Sequence, residues 1–155
     1  MTDPFEALEE GAPEIHEDGN LFSVSEIKRG DVDAALATAA HVATETFRTQ
    51  FIEHAFLEPE SAFAIPSEDG VHCFSQGQGV WDDREQIASF LGMPEERVRV
   101  TQVSSGGAFG AKEDLNVQTH TCLLALMTKR PVLLTLSRSE SIRFHPKRHP
   151  ITMKY

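Results

Sequence analysis

Ser104-Ser-Gly-Gly-Ala-Phe-Gly-Ala-Lys-Glu-Asp114 follows an alternating run, Arg97-Val-Arg-Val-Thr-Gln-Val103, and precedes an apolar-periodic segment that begins at Leu115. The pattern predicts a strand, a glycine-rich corner and a helix. Glycine lets the main chain approach a ligand closely because no Cβ intervenes, and a helix start leaves N–H groups without intrahelical partners. Such a corner can receive an anionic or oxo-bearing group. Read as residues alone, it serves equally well as a tight turn.

Two familiar glycine loops do not match. A dinucleotide-binding loop needs glycines at its first, third and sixth positions, whereas Gly106, Gly107 and Gly110 fall at the first, second and fifth. A phosphate loop needs GxxxxGK followed by Ser or Thr, and the frame from Gly106 puts Ala111 and Glu113 at two of those places. A carboxylate where a magnesium-binding hydroxyl belongs repels phosphate, although Lys112 keeps a phosphate- or nucleotide-binding module as a rival reading.

Composition bounds the rest. The chain has 155 residues, 40% of them hydrophobic, enough for one cored domain, and a net charge of −10 that gives it no attraction to nucleic acid or anionic lipid. No apolar run reaches membrane-spanning length and the N-terminus lacks a secretory pattern, so the expected setting is the cytoplasm. Cys73 and Cys122 are too few and too far apart for a zinc or iron–sulfur site and are expected as buried free thiols. His145 and His149 are separated by Pro146, and no side-chain metal site is expected.

Residues 1–20 carry seven acids and no Lys or Arg and form an acidic, poorly ordered lead-in; residues 21–155 form the partial domain. Leu21–Ile27 is expected as a strand, then a helix capped by Asp31, then a strand over His41–Thr49. Glu53, His54, Glu58 and Glu60 are read as a solvated loop. Ser61–Ile65 and Val71–Phe74 bracket the polar turn Ser67–Gly70 as a hairpin. The loop Ser75–Gly79 offers the amides of Gln76 and Gln78. A helix capped by Asp82 or Asp83 follows, with Trp81, Ile87, Phe90 and Leu91 inward and Gly92 as its stop. Leu115, Cys122, Leu123, Leu126 and Met127 share one face of the next helix, with Gln118 and Thr119 as satisfied core polar groups. Pro131–Leu136 reads as a central strand covered on both faces. Arg138, Arg143, Lys147 and Arg148 are expected to pair with local carboxylates, and the apolar run Ile151–Tyr155 is expected to be cut short.

Several segments together resemble the molybdenum-binding subunit of the xanthine dehydrogenase and aldehyde oxidase family, the molybdenum hydroxylases. In order they are Gly30-Asp-Val-Asp-Ala-Ala35, Glu53-His54 with Leu57-Glu-Pro59, the Gln78-Gly79 loop, Leu91-Gly92 with Pro94-Glu-Glu-Arg97, Gly106 to Glu113, and Arg148-His-Pro150. They cover most of residues 25–155.

The resemblance implies an α+β fold, a mixed β-sheet with packed helices, as part of a molybdenum-cofactor-binding domain. It implies that Gln78 is the glutamine whose amide approaches a molybdenum oxo ligand, and that Gly107, Phe109 and Gly110 belong to the backbone cradle beside the metal. Glu113 is then the active-site glutamate that contacts substrate, a purine or similar N-heterocycle, or an aldehyde. The cofactor is molybdopterin, whose dithiolene rather than any side chain ligates the metal. Iron–sulfur and FAD modules are the implied partners, with the remainder of the molybdenum subunit. The family's catalytic base and later cofactor loops lie downstream of position 155. The 155 residues alone are therefore expected to hold no cofactor, to be inactive and to be prone to self-association. Ala108 and Ala111 stand where the family often has glycine. A non-catalytic assembly domain of the same ancestry is the remaining alternative.

Overall fold

Asp31 sits where the sequence places a cap, and its Oδ1 accepts from the Ala34 N–H at 3.0 Å to start helix α1 (Val32–Thr38). This helix belongs to the first of two compact units, Met1–Thr44, in the computed structural model, which describes residues 3–155. Within that unit the Asn20 side chain closes a loop, accepting from the Ile15 N–H and donating to the carbonyls of Ala7 and Pro13. Leu21–Ile27 forms no strand. Its side chains are exposed and no neighbouring strand supplies the hydrogen bonds that an extended segment needs.

The second unit, Glu45–Tyr155, contains β1 (Thr46–Arg48), β2 (Ser61–Pro66), β3 (Val71–Ser75), α2 (Val80–Leu91), β4 (Val98–Gln102), α3 (Gln118–Thr128), β5 (Val132–Thr135), α4 (Arg138–Phe144) and β6 (Thr152–Lys154). The expected strand over His41–Thr49 shrinks to β1, which pairs antiparallel with β6. An isolated bridge between Ile52 and Arg148 extends that ribbon. The main sheet has the order β4-β3-β2-β5, with β2 antiparallel to both β3 and β5 and with β3 parallel to β4. It is mixed, as the resemblance implies.

Alternation along β2 and β3 turns Ala62, Ala64, Val71 and Cys73 to one face, where Ile87 and Ala88 of α2 and Cys122 and Ala125 of α3 complete the core. Small side chains at these positions bring helices and sheet close together. Both cysteines are buried and free, and the neighbouring Cys122 thiol, with burial, pushes the Cys73 thiol far up. The hairpin turn is tight: a Cβ on Gly70 would overlap the Arg97 carbonyl.

Three expectations fail, the two for the helices because the sheet selects which helix face is buried and the one for β5 because strand order sets its place. α2 is capped at Gly79, so Asp83 lies within its first turn and is fully buried, while Trp81 and Phe90 point outward. α3 begins at Gln118, not Leu115, and Met127 is exposed. β5 is an edge strand whose residues alternate between partly buried and exposed, not a central strand covered on both faces. α4, with a capping box between Ser137 and Glu140, was not anticipated. Among the described residues no helix is long and apolar enough to cross a membrane.

Candidate functional site

The loop after β3 is fixed by a buried polar group. Ser75 Oγ donates to Asp83 Oδ2 at 2.6 Å and accepts from the Gly77 N–H and from Gln118 Nε2. Burial pushes the Asp83 carboxyl above its usual range, against the lowering influence of the Ser75 hydrogen bond. Gln118 also accepts from the Asn116 N–H, so it is the satisfied core polar group expected. This network delivers Gln78 to the surface in a defined position.

Gln78 then grips the glycine-rich segment. Its N–H donates to the Lys112 carbonyl at 2.9 Å, and its Oε1 accepts from the N–H groups of Gly110 at 3.0 Å and Lys112 at 3.3 Å. With the oxygen occupied, the amide orientation is set, and Nε2 has no hydrogen-bond partner among the described residues. Gly107 and Gly110 have φ of +101° and +94°, and Phe109, at +56°, also lies in the left-handed region. Phe109 is 72% exposed, and a Cβ built on Gly110 meets nothing within 4 Å. Ala108 and Ala111 turn their methyl groups inward, the latter to 1% exposure, so neither alanine fills the outer surface.

The segment is not a strand-to-helix corner. An irregular stretch, residues 104–117, runs ahead of α3, because Asn116 Nδ2 donates to the carbonyls of Ala111 and Asp114 and holds them off a helical path. No helix N-terminus faces Gly106–Gly110 from this segment, and the loop's own backbone and the Gln78 amide are what it presents.

Behind the loop lies a layer that the sequence did not reveal. Lys112 is 1% exposed; its Nζ donates to the Glu58 carbonyl at 2.9 Å and to Gln76 Oε1, and sits 4.5 Å from the Phe56 ring centre. Burial lowers its pKa while Glu58 and Glu60 oppose that shift. Glu58 accepts from the Gly106 N–H, and Arg138 donates to the carbonyls of Phe56 and Leu57. A lysine so committed is no phosphate ligand, which removes the cation that the nucleotide-binding alternative requires.

The Glu53–Glu60 segment is also not a solvated loop throughout. Glu60 is buried, and the buried His145 ring lies between two carboxylates, with Nε2 2.8 Å from Glu53 Oε1 and Nδ1 2.8 Å from Glu60 Oε1. The second contact lacks hydrogen-bond alignment, and both Glu60 oxygens are without a hydrogen-bond donor among the described residues. Of the four basic residues expected to pair with carboxylates, only Lys147 does so among the described residues, with Glu53 at 2.7 Å; Arg138 turns to main-chain carbonyls, and Arg143 and Arg148 form no ion pair. Burial opposes ionisation of Glu53, but Lys147, the Ala55 N–H and His145 outweigh it and hold the carboxyl at about 2. The signal was hidden because residues 53 and 145 are 92 positions apart.

Glu113 is exposed and borders two depressions. One, of about 340 Å3, also touches Gln78, Gly79 and Gln86; the other, of about 450 Å3, touches Phe109, Gly110, His54 and Arg148. The structure thus brings Gln78, Phe109, Gly110 and Glu113 to one surface, with Gly107 half-buried nearby.

The matching family model is the "Molybdopterin cofactor-binding domain", over residues 15–155. The chain is 40% identical over 148 residues to the nicotinate dehydrogenase large molybdopterin subunit of Eubacterium barkeri, covering 95% of this chain and 35% of that protein. It is 38% identical to one of the probable xanthine dehydrogenase subunits of Bacillus subtilis, covering 99% and 21% respectively. Among solved structures, the aldehyde oxidoreductase of Desulfovibrio gigas superposes with a TM-score of 0.81 at 26% identity, covering 96% of this chain and 17% of that one. The chain therefore spans about a third or less of the relatives it matches. From the ordered sequence segments, the mixed sheet and the family match, this chain belongs to the molybdopterin cofactor-binding domain family.

Proposed function

We propose that the complete protein is a molybdenum hydroxylase, an oxidoreductase acting on a purine or similar N-heterocycle or an aldehyde, and that residues 21–155 supply one wall of its cofactor site. The observation that carries this is the Gln78 amide, whose oxygen is tied to Gly110 and Lys112 so that its nitrogen is left free beside the exposed Phe109–Gly110 backbone. The open space over Gly110 and the inward methyls of Ala108 and Ala111 fit a bulky group lying against the loop.

When bound, the molybdenum cofactor supplies the two-electron redox chemistry by which a carbon is hydroxylated with water-derived oxygen. Gln78 Nε2 donates a hydrogen bond toward the cofactor from a preset position, and the backbone of Gly107, Phe109 and Gly110 lines its contact surface. Glu113 accepts a hydrogen bond from the substrate. Electrons leave through iron–sulfur and flavin modules, and the remainder of the molybdenum subunit completes the site. The setting is cytoplasmic.

In the complete enzyme, Gln78→Ala is expected to lower turnover by about 10- to 100-fold with molybdenum content preserved, and Glu113→Gln to lower kcat/KM by a similar factor and change substrate preference. Unchanged turnover and preference in both would contradict these roles. The 155 residues alone are expected to show no hydroxylase activity and no stoichiometric molybdenum by elemental analysis.

A further inference from the structure

Asp83 is a fully buried acid that the proposed reaction does not use, and it holds the chain on both sides of Gln78. Its main-chain N–H donates to the Gly79 carbonyl at 2.8 Å, within the first turn of α2. Its side chain holds Gly77 through Ser75: Asp83 Oδ2 accepts from Ser75 Oγ at 2.6 Å, and Ser75 Oγ accepts from the Gly77 N–H at 2.9 Å. Donor and acceptor capacity fixes the direction of this link. Ser75 Oγ also accepts from Gln118 Nε2 at 3.1 Å, so both of its lone pairs are taken and its single hydrogen goes to Asp83. The Gly77 carbonyl is held separately, by Gln102 Nε2 at 2.8 Å. The approach is close enough that a Cβ on Gly77 would lie 2.5 Å from Asp83 Oδ2.

We infer that Asp83 is a positioning residue for Gln78: it pins the residues on either side of the glutamine, so that the side-chain amide meets the Gly110 and Lys112 N–H groups in one orientation. This rests on the proposed function, in which the Gln78 amide nitrogen faces the cofactor, and adds to it a buried residue that acts only through the loop. The pinning needs an acceptor at Oδ2 and nothing at Oδ1, which has no hydrogen-bond partner among the described residues. An asparagine side chain meets that need, with its oxygen toward Ser75 and its amide nitrogen in the place of Oδ1, whereas alanine leaves the Ser75 hydroxyl without its acceptor. Burial, the largest influence on the Asp83 carboxyl, favours the uncharged form that asparagine mimics.

The test compares Asp83→Ala and Asp83→Asn in the complete, cofactor-loaded enzyme, each alone and combined with Gln78→Ala. Asp83→Ala is expected to lower kcat about 10-fold with KM changed less than about twofold and molybdenum content kept, and Asp83→Asn to stay within about threefold of wild type. In the Gln78→Ala background, Asp83→Ala is expected to cost less than about twofold more, because the residue it acts through is gone. Equal losses in the two backgrounds, Asp83→Asn as damaging as Asp83→Ala, or molybdenum lost in step with activity overturns the inference. Amide hydrogen exchange in the same proteins gives a second readout: Asp83→Ala, but not Asp83→Asn, should speed exchange about 10-fold or more in residues 75–79 and 106–113 and leave β2 unchanged. Exchange raised everywhere alike, or in residues 75–79 alone, marks a merely structural role and overturns it. Where Asp83→Ala does not fold, Ser75→Ala cuts the same link at the hydroxyl and replaces it in both measurements, with the same outcomes decisive. If Gln78→Ala itself leaves turnover unchanged, the assignment of Gln78 to the cofactor fails, and exchange alone then decides: joint loosening of the two loops supports Asp83 as the residue that positions Gln78, and its absence refutes it.

Discussion

Gln78 and Lys112 hold each other by two hydrogen bonds: the Gln78 N–H donates to the Lys112 carbonyl at 2.9 Å, and the Lys112 N–H donates back to the Gln78 side-chain oxygen at 3.3 Å. The Lys112 side chain, meanwhile, runs the other way, into the interior, to Glu58 and Gln76. One residue thus ties the surface amide to the buried layer beneath it. Lys112→Met keeps the length of the side chain but leaves the Glu58 carbonyl and Gln76 Oε1 without their donor. Denaturant unfolding is expected to show a loss of about 2–3 kcal/mol. A loss below about 0.5 kcal/mol would show that the ammonium holds nothing in place.

Glu53 gives a pH prediction. Burial acts to raise its carboxyl, but Lys147 and the Ala55 N–H override it and bring the group from an ordinary 4.5 down to about 2, so the folded state favours the ionised form. The associated stability is complete above about pH 4.5 and is lost as pH falls toward 2. Converting the shift gives about 3 kcal/mol, reduced somewhat because the side chain retains 27% exposure. Unfolding midpoints measured at pH 7, 5 and 3 should decline for wild type, and Glu53→Gln should be less stable at pH 7 with a shallower acid limb. Parallel limbs would remove Glu53 from the acid response.

His145 contributes differently, as the ring lying between Glu53 and Glu60. His145→Phe preserves ring volume but removes the 2.8 Å hydrogen bond to Glu53 and the ring nitrogen beside the buried Glu60. The expected cost is about 1–3 kcal/mol, smaller than for Glu53→Gln because the Glu53–Lys147 pair is kept. Thermal melting of the two variants side by side checks the order.

Two glycines separate close approach from backbone conformation. Gly70→Ala drives a Cβ into the Arg97 carbonyl and should cost more than about 2 kcal/mol. Gly92, the left-handed cap of α2 at φ +63°, has open space around it. Gly92→Ala should therefore cost only about 1 kcal/mol, and Gly92→Asn less. Equal losses at the two sites would contradict this distinction.

What the sequence disclosed was mostly local. The hairpin of β2 and β3 was legible because a polar four-residue turn interrupts two alternating runs, and the end of α2 because Gly92 precedes Pro94. The faces of the helices were not, since periodicity identifies an apolar stripe but the sheet buried Asp83 and Ala88 and left Trp81 and Phe90 outside. β5 reads as fully covered because it is apolar, yet its place at the edge depends on the order β4-β3-β2-β5, which no local pattern encodes. Gln78 and Phe109 could be singled out as members of ordered motifs. The Glu53–His145–Glu60 group and the Lys112 tether could not, because each joins residues far apart in the chain and residue types that are usually solvated.

The central claim is that Gln78 Nε2 and the backbone of Phe109 and Gly110 face the molybdenum cofactor. A crystal structure of the complete, cofactor-loaded protein tests it most directly. The expected result is Gln78 Nε2 within hydrogen-bond distance, about 3 Å, of an atom in the cofactor's metal centre, with Phe109 and Gly110 against the same group. A cofactor seated elsewhere, with the Gln78 amide pointing to solvent or to another part of the protein, would contradict it.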